Sequence, residues 1–194
     1  MKEWIVATKN KGKVAEFEAI LGKRGFSVKS LLDYPAIEDI EETGSTFNEN
    51  ATIKAEAIAE RFQRPVLADD SGLIIDALDG RPGIFSARYA GEEKDDQKNI
   101  EKVLRELQDI PWKARTARFH CSIALARPQA ETIVFEGTCE GYITTEPKGT
   151  GGFGYDPIFY VPSHDKTMAE LTQEEKNKLS HRYHALKQLD KWLD

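Results

Sequence analysis

Residues 4–21 read WIVATKNKGKVAEFEAIL. Trp4 to Ala7 make a short apolar run, the length and character of a buried strand. Thr8-Lys9-Asn10-Lys11-Gly12-Lys13 interrupts it with a polar turn. Val14, Phe17, Ile20 and Leu21 then recur at the spacing of one helix face. A strand that passes through a polar turn into a helix is how an α/β chain begins.

Outward from that stretch the two periods keep alternating. Residues 26–32 (FSVKSLL) read as a second strand, and 36–45 as an acidic turn. Over 46–62, Thr46 and Glu49 fit a capping box, and Phe47, Ala51, Ala55, Ile58 and Phe62 form an apolar stripe. PVLAD at 65–69 predicts a buried strand that ends in Asp69-Asp70-Ser71-Gly72, with a separate apolar run, LIIDAL, at 73–78. A loop rich in Gly, Pro and Arg fills 79–91, and 95–108 reads as an amphipathic helix. ARTARFHCSIALA (114–126) and ETIVFEGTCEGYI (131–143) predict long antiparallel strands turned at Pro128-Gln129. A glycine cluster at 149–154, a strand at 158–161, and two caps, Thr172 with Glu175 and then Ser180, before a C-terminal helix through Tyr183, Leu186, Leu189 and Leu193 complete the chain. Intermixed strands and helices with one long hairpin favour an α/β fold on a mixed sheet over a purely doubly wound one.

The composition sets outer limits. With 194 residues, the chain is one large domain, or two lobes sharing a core. Charged residues make up 31% and the hydrophobic set 40%, which is ordinary for a soluble globular protein. The formal net charge of −6 argues against a nucleic-acid grip, which needs a basic face, but leaves room for a small anion pocket. No apolar run approaches the roughly 18 residues of a membrane span, and the start, MKEWIVATKN, does not read as a signal peptide. Cys121 and Cys139 offer neither a disulfide framework nor CxxC spacing, so a reducing cytoplasm is expected.

Four groups of residues could carry chemistry. Residues 8–13 place backbone N–H groups, a hydroxyl, an amide and ammonium groups at a helix N-terminus, a ready anion site. The plain alternative is a solvated turn in which Asn10 caps the helix. Asp69 and Asp70 follow an apolar strand, and Glu38, Asp39, Glu41 and Glu42 crowd a loop upstream. Buried carboxylates need a partner or a metal, and Mg²⁺ takes one or two of them plus phosphate oxygens. A helix cap or turn at Asp70 would serve as well. GTGGFGYD at 149–156 combines close backbone approach with rings, Phe153 and Tyr155, on which a base can stack; a hairpin loop with core aromatics reads equally well. Lys176 and Ser180-His181-Arg182 offer donors to phosphate or a base edge, unless they are simply a charged helix surface. His120 and His184 read as structural. Jointly the four groups make up what a nucleoside triphosphate site needs. No Ser–His–Asp order or zinc spacing competes with it.

The motifs ATKNKGKVAEF (7–17), ETGSTFNENATIKA (42–55), LADDSGL (67–73), GRPGIFSARYAG (80–91), GTGGFGYDPIF (149–159) and EKNKLSHRYHAL (175–186) stand in order along the whole chain. In all six the chain resembles the inosine triphosphate pyrophosphatase family, which removes ITP, dITP and XTP from the nucleotide pool. A minor departure is Lys9, where many members carry Gly. The resemblance implies a long curved mixed sheet flanked by helices, two lobes with a central cleft, and a homodimer. It implies that Thr8, Lys9, Asn10, Lys11, Gly12 and Lys13 hold the triphosphate, supported by Asn50. Glu41 and Asp70 would hold Mg²⁺. Asp70, or its neighbour Asp69, would activate water, with Lys54 near the developing charge, and Ser71 would touch substrate. Phe153, Gly154, Tyr155 and Asp156 would sandwich base and sugar, and Lys176, His181 and Arg182 would hold the base and phosphate end.

The expected reaction is hydrolysis between the α- and β-phosphates, with no covalent intermediate. Arg182 and backbone N–H groups aimed at a C6 oxygen would face donor to donor against adenine, a mismatch of several kcal/mol. Guanine shares that oxygen, so its rejection must come from its 2-amino group. A diphosphatase for pyrimidine or modified nucleotides would not predict the SHR block or the GGFGYD loop. A sensor that binds without cleaving would not need the costly acids Glu41, Asp69 and Asp70.

Overall fold

The computed structural model describes residues 3–38 and 40–193. Asp39 of the acidic loop therefore lies outside the described residues, as do Met1, Lys2 and Asp194. The elements in chain order are β1 (Glu3–Val6), α1 (Lys11–Leu21), β2 (Ser27–Ser30), α2 (Phe47–Phe62), β3 (Val66–Ile75), α3 (Asp96–Glu106), β4 (Thr116–Arg127), β5 (Ala130–Ile143), β6 (Phe159–Val161), β7 (Lys166–Thr167), α4 (Gln173–Leu179) and α5 (His181–Trp192). The strands form one mixed seven-stranded sheet in the order β2-β1-β3-β4-β5-β6-β7. β1 runs parallel to β2 and to β3, with Ile5 opposite Val66 and Val6 opposite Leu67. β5, β6 and β7 pair antiparallel. No helix among the described residues is long and apolar enough to cross a membrane.

One expectation changes. The predicted strand at 65–69 does not stop at Asp69-Asp70-Ser71-Gly72. The chain stays extended through all four and joins the apolar run after them as the single strand β3, Val66–Ile75. Polar residues inside a buried stretch look like a turn on paper. Here the side chains of Asp69 and Asp70 find partners on opposite faces of the sheet, and the backbone continues without a bend.

The chain forms two compact units. The first comprises residues 1–70, 121–137 and 181–194. Its strands are covered on both faces, and the alternation of side chains sorts them cleanly. Trp4, Val6, Leu67, Cys121, Ile123 and Leu125 pack with Phe17 and Leu21 of α1 and Ala185, Leu186 and Leu189 of α5. The intervening Ile5, Ala7, Val66, Ala68, Ala124 and Ala126 pack with Ala51, Ala55, Ile58 and Ala59 of α2. The small residues on both sides of that second layer let α2 lie close to the sheet. Thr46 and Glu49 form the anticipated capping box at its start.

The second unit comprises residues 71–120 and 138–180. Its core gathers Leu73, Ile75, Ala117, Phe119, Cys139, Ile143, Phe159 and Val161 from the strands around Ile100 and Val103 of α3 and Leu107 at its C-cap. The alternating burial along β5 shows a sheet with one dry face and one wet one. Both cysteines are buried and free.

Candidate active site

In the first unit, β1 delivers the chain into the polar turn. The Thr8 hydroxyl accepts from the Asn10 N–H at 3.1 Å, and the Asn10 side chain accepts from the Lys13 N–H at 3.2 Å. Asn10 is thus the N-cap of α1. Lys9 and Lys11 are exposed, whereas Lys13 turns inward to Asp69, Nζ to Oδ2 at 3.0 Å.

Asp69 and Asp70 are consecutive in a strand, so they face opposite ways. Asp69 points to the α1 and α5 side. Its Oδ2 accepts from Arg182 Nε at 3.2 Å and Nη2 at 3.0 Å. Arg182 Nη1 donates to Glu16 at 2.6 Å, and the whole Arg182 side chain is buried. Burial alone raises the pKa of Asp69. Lys13, Arg182 and Lys54 outweigh it and hold the carboxyl far below the usual carboxylate range. The Arg182 guanidinium is raised in turn: burial opposes this, but Asp69 and Glu16 overcome it.

Asp70 points to the α2 side. Its Oδ2 accepts from Asn50 Nδ2 at 3.2 Å, and its Oδ1 lies 3.8 Å from Lys54 Nζ. Lys54 also donates to Glu42 at 2.6 Å and to the Asp69 carbonyl oxygen at 2.7 Å. Asn50 and Lys54 are one helical turn apart, which is why both reach the same carboxylate. Asn50 accepts from the Gly44 N–H at 2.8 Å and so ties the acidic loop to α2. A Cβ on Gly44 would stand 2.6 Å from Glu49 Cβ and 2.7 Å from Asn50 Oδ1. Burial pushes Asp70 up to about 6; Lys54 works against the shift and the negative charge of Glu42 adds to it. Two adjacent aspartates are thereby driven in opposite directions, the pattern of a group held ionised beside one poised to take a proton.

The second unit holds the glycine loop. Asp156 Oδ2 accepts from the Phe153 N–H at 3.0 Å and from Lys176 Nζ at 2.7 Å. That ammonium stands 4.7 Å from the centre of the Phe153 ring. A Cβ on Gly152, whose φ is +75°, would run into the Asp156 carboxylate. Tyr155 is buried and donates to the Ser86 carbonyl at 2.7 Å. The Ser86 hydroxyl accepts from the Leu73 N–H at 2.9 Å and donates to the Gly83 carbonyl at 2.6 Å. Ser71 is half-buried in β3.

The candidates thus fall into two groups. Lys13, Asn50, Lys54, Asp69, Asp70 and Arg182 come together in the first unit, and Phe153, Asp156 and Lys176 in the second. Two of the expected residues stand in settings that the sequence does not reveal. Glu41 is exposed and makes no hydrogen bond or ion pair among the described residues, whereas Glu42 lies against Lys54 and acts on Asp70. Adjacent identical letters hid that difference, and only the side-chain direction separates them. Arg182, expected with Lys176 and His181 at the base and phosphate end, donates from Nε, Nη1 and Nη2 to two buried carboxylates. His181, at the start of α5, is buried. Sequence reading missed Glu16 and Ser86. Glu16 had a signal: an acid at a position that the helical period of α1 buries.

Known proteins match the sequence and the fold over nearly the full length. The family model of the Ham1 family matches residues 4–192. The dITP/XTP pyrophosphatase of Geobacillus kaustophilus is 62% identical over 190 residues, covering 98% of this chain and 93% of that protein. The dITP/XTP pyrophosphatase of Bacillus subtilis is 61% identical over 194 residues, covering 100% and 98%. Among solved structures, the Staphylococcus aureus Ham1 protein superposes with a TM-score of 0.88 at 48% identity, covering 99% of this chain and 98% of that one. A HAM1 protein from Coxiella burnetii gives 0.89 at 47% identity, covering 100% and 98%. With the family model, the full-length relatives and the fold in accord, the chain belongs to the Ham1 family.

Proposed function

We propose that this chain hydrolyses dITP, ITP and XTP between the α- and β-phosphates, giving the nucleoside monophosphate and pyrophosphate. The substrate class rests on the full-length relatives named dITP/XTP pyrophosphatase. The chemistry rests on the opposed tuning of Asp69 and Asp70. A carboxyl near 6 is mostly ionised at neutral pH yet basic enough to accept a proton from an attacking water. Asp70 is that base. Asp69 stays ionised and fixes Lys13, so that one ammonium is aimed before substrate arrives. Lys54, anchored by Glu42 and the Asp69 carbonyl, meets negative charge as it builds on the leaving pyrophosphate. Thr8, Asn10 and the free N–H groups of α1 take phosphate oxygens.

The donors at Glu42 and Asp70 fit a hard divalent cation. Both are carboxylates, and the charge of one raises the pKa of the other. Mg²⁺ bound by them would offset phosphate charge and acidify a coordinated water. Glu42 replaces Glu41 in that role. In the second unit, a purine stacked on Phe153 would lie beside the Lys176 ammonium. A C6 oxygen accepts there, whereas the C6 amino group of adenine brings a donor to a donor. The enzyme acts as a homodimer in the cytoplasm, on the strength of the family resemblance.

Product analysis tests the reading. Purified protein is offered ITP, XTP, GTP, ATP and UTP with and without Mg²⁺, and pyrophosphate is measured separately from phosphate. Pyrophosphate from ITP and XTP, little from GTP or ATP, and none in EDTA is the expected outcome. Orthophosphate release or a preference for UTP would move the protein to another class of hydrolase.

A further inference from the structure

The loop at residues 153–156 is clamped from two sides. Asp156, buried, takes the Phe153 N–H from within. The next amide, Gly154 N–H, donates to Asp96 Oδ2 at 2.8 Å. Asp96 is the first residue of α3 and is exposed. The helix does not need it as a cap, because Asp95 accepts from the Lys98 N–H at 3.1 Å. Its carboxylate is therefore free to reach across to the loop, and the distance is that of a charge-assisted hydrogen bond. Gly154 sits at φ +58° with no atom within 4 Å of a would-be Cβ. Its left-handed turn is thus fixed by the hydrogen bond and the backbone, not by packing.

We propose that Asp96 is a positioning residue for base recognition: by holding the Gly154 amide it fixes the Phe153–Gly154 peptide and hence the plane of the Phe153 ring. This rests on the reading that residues 153–156 hold the base. The inner ties do not depend on it. Asp156 keeps Phe153 N–H and Lys176, and Tyr155 keeps the Ser86 carbonyl. Without Asp96 the loop stays folded, its Gly154 amide turns to water, and the ring loses its fixed orientation. The effect falls on ligands that carry a base and spares those that do not.

The test measures binding of inosine monophosphate and of pyrophosphate to the full-length protein by calorimetry, for wild type, Asp96→Ala, Asp96→Asn and Phe153→Ala. Asp96→Ala is expected to weaken inosine monophosphate about tenfold, the scale of one lost charged hydrogen bond, and to leave pyrophosphate within about twofold. Asp96→Asn keeps an oxygen acceptor and restores binding of the monophosphate. Equal weakening of both ligands by Asp96→Ala, or an Asn variant as poor as the Ala one, overturns the proposal. If Phe153→Ala weakens the monophosphate and Asp96→Ala does not, the Asp96 role alone fails. If Phe153→Ala leaves the monophosphate unchanged, the base-loop reading fails and the Asp96 role with it.

Discussion

Asp69 and Asp70 differ only in the direction their side chains leave β3, and that difference reverses the sign of what each does to stability. The folded pKa of Asp69 is depressed, so its contribution is present above the ordinary aspartate range, near 4, and fades as pH falls below it. Asp69→Asn leaves Arg182 and Lys13 facing a neutral amide in a buried setting. Removing one partner of such a network costs about 3–5 kcal/mol, and urea denaturation at pH 7 should show a loss of that order. Asp70 is the reverse case. Its folded pKa, about 6, lies above the unfolded value, so ionising it destabilises the fold as pH rises from about 4 through 6. A gap of that size corresponds to about 3 kcal/mol. Asp70→Asn should therefore melt higher than wild type at pH 8 in EDTA, with the advantage vanishing toward pH 4. The same variant should lose at least tenfold in turnover, and typically about 10²–10⁴. A variant that is less stable than wild type at pH 8, or that keeps most of its turnover, would remove Asp70 from the role of base.

At the scale of elements, close approach decides which residues reach the site. Gly137 of β5 lies so near α5 that a Cβ there would run into the His181 carbonyl oxygen and the Ala185 backbone nitrogen. α5 begins with His181 and the buried Arg182, so the contact sets where the guanidinium meets Asp69. Gly137→Ala should cost about 1–3 kcal/mol by overpacking and reduce turnover as well, because α5 must shift to accommodate it. A loss of stability with unchanged kinetics would show that the start of α5 tolerates displacement. The periods of 3.6 and 2 made most elements readable: α2 with its Thr46–Glu49 box, α3, and the β4–β5 hairpin lie where the sequence puts them. β3 was not readable as one strand. Asp69-Asp70-Ser71-Gly72 carries turn chemistry, and its two aspartates find their partners in Arg182, Lys13, Lys54 and Asn50, none of them near in sequence.

For the whole molecule, the site was legible as a set of residue types and illegible as a set of directions. Six motifs name nearly every polar residue that gathers in the two units, yet nothing in the letters separates Glu41 from Glu42 or turns Arg182 inward, since both depend on contacts made across the fold. The charge balance exposes a further requirement. The chain carries a formal −6 and is proposed to take a polyanion, so long-range electrostatics oppose the encounter. The inward cations Lys13, Lys54, Lys176 and Arg182 are each paired with acids. A cation held by Glu42 and Asp70, as proposed above, would add positive charge beside these paired groups. Binding to the folded state alone must also raise global stability by RT ln(1 + [L]/Kd). At ten times Kd that is about 1.4 kcal/mol, or about 3–6 °C in melting temperature for a chain of this size. Mg²⁺ added without nucleotide should therefore shift wild type upward by that amount at pH 8, and should leave Asp70→Asn and Glu42→Gln nearly unmoved, while Glu41→Gln shifts as wild type does. A wild-type melt indifferent to Mg²⁺ would mean that the cation arrives on the nucleotide, and an Asp70→Asn melt that still responds would place the cation elsewhere.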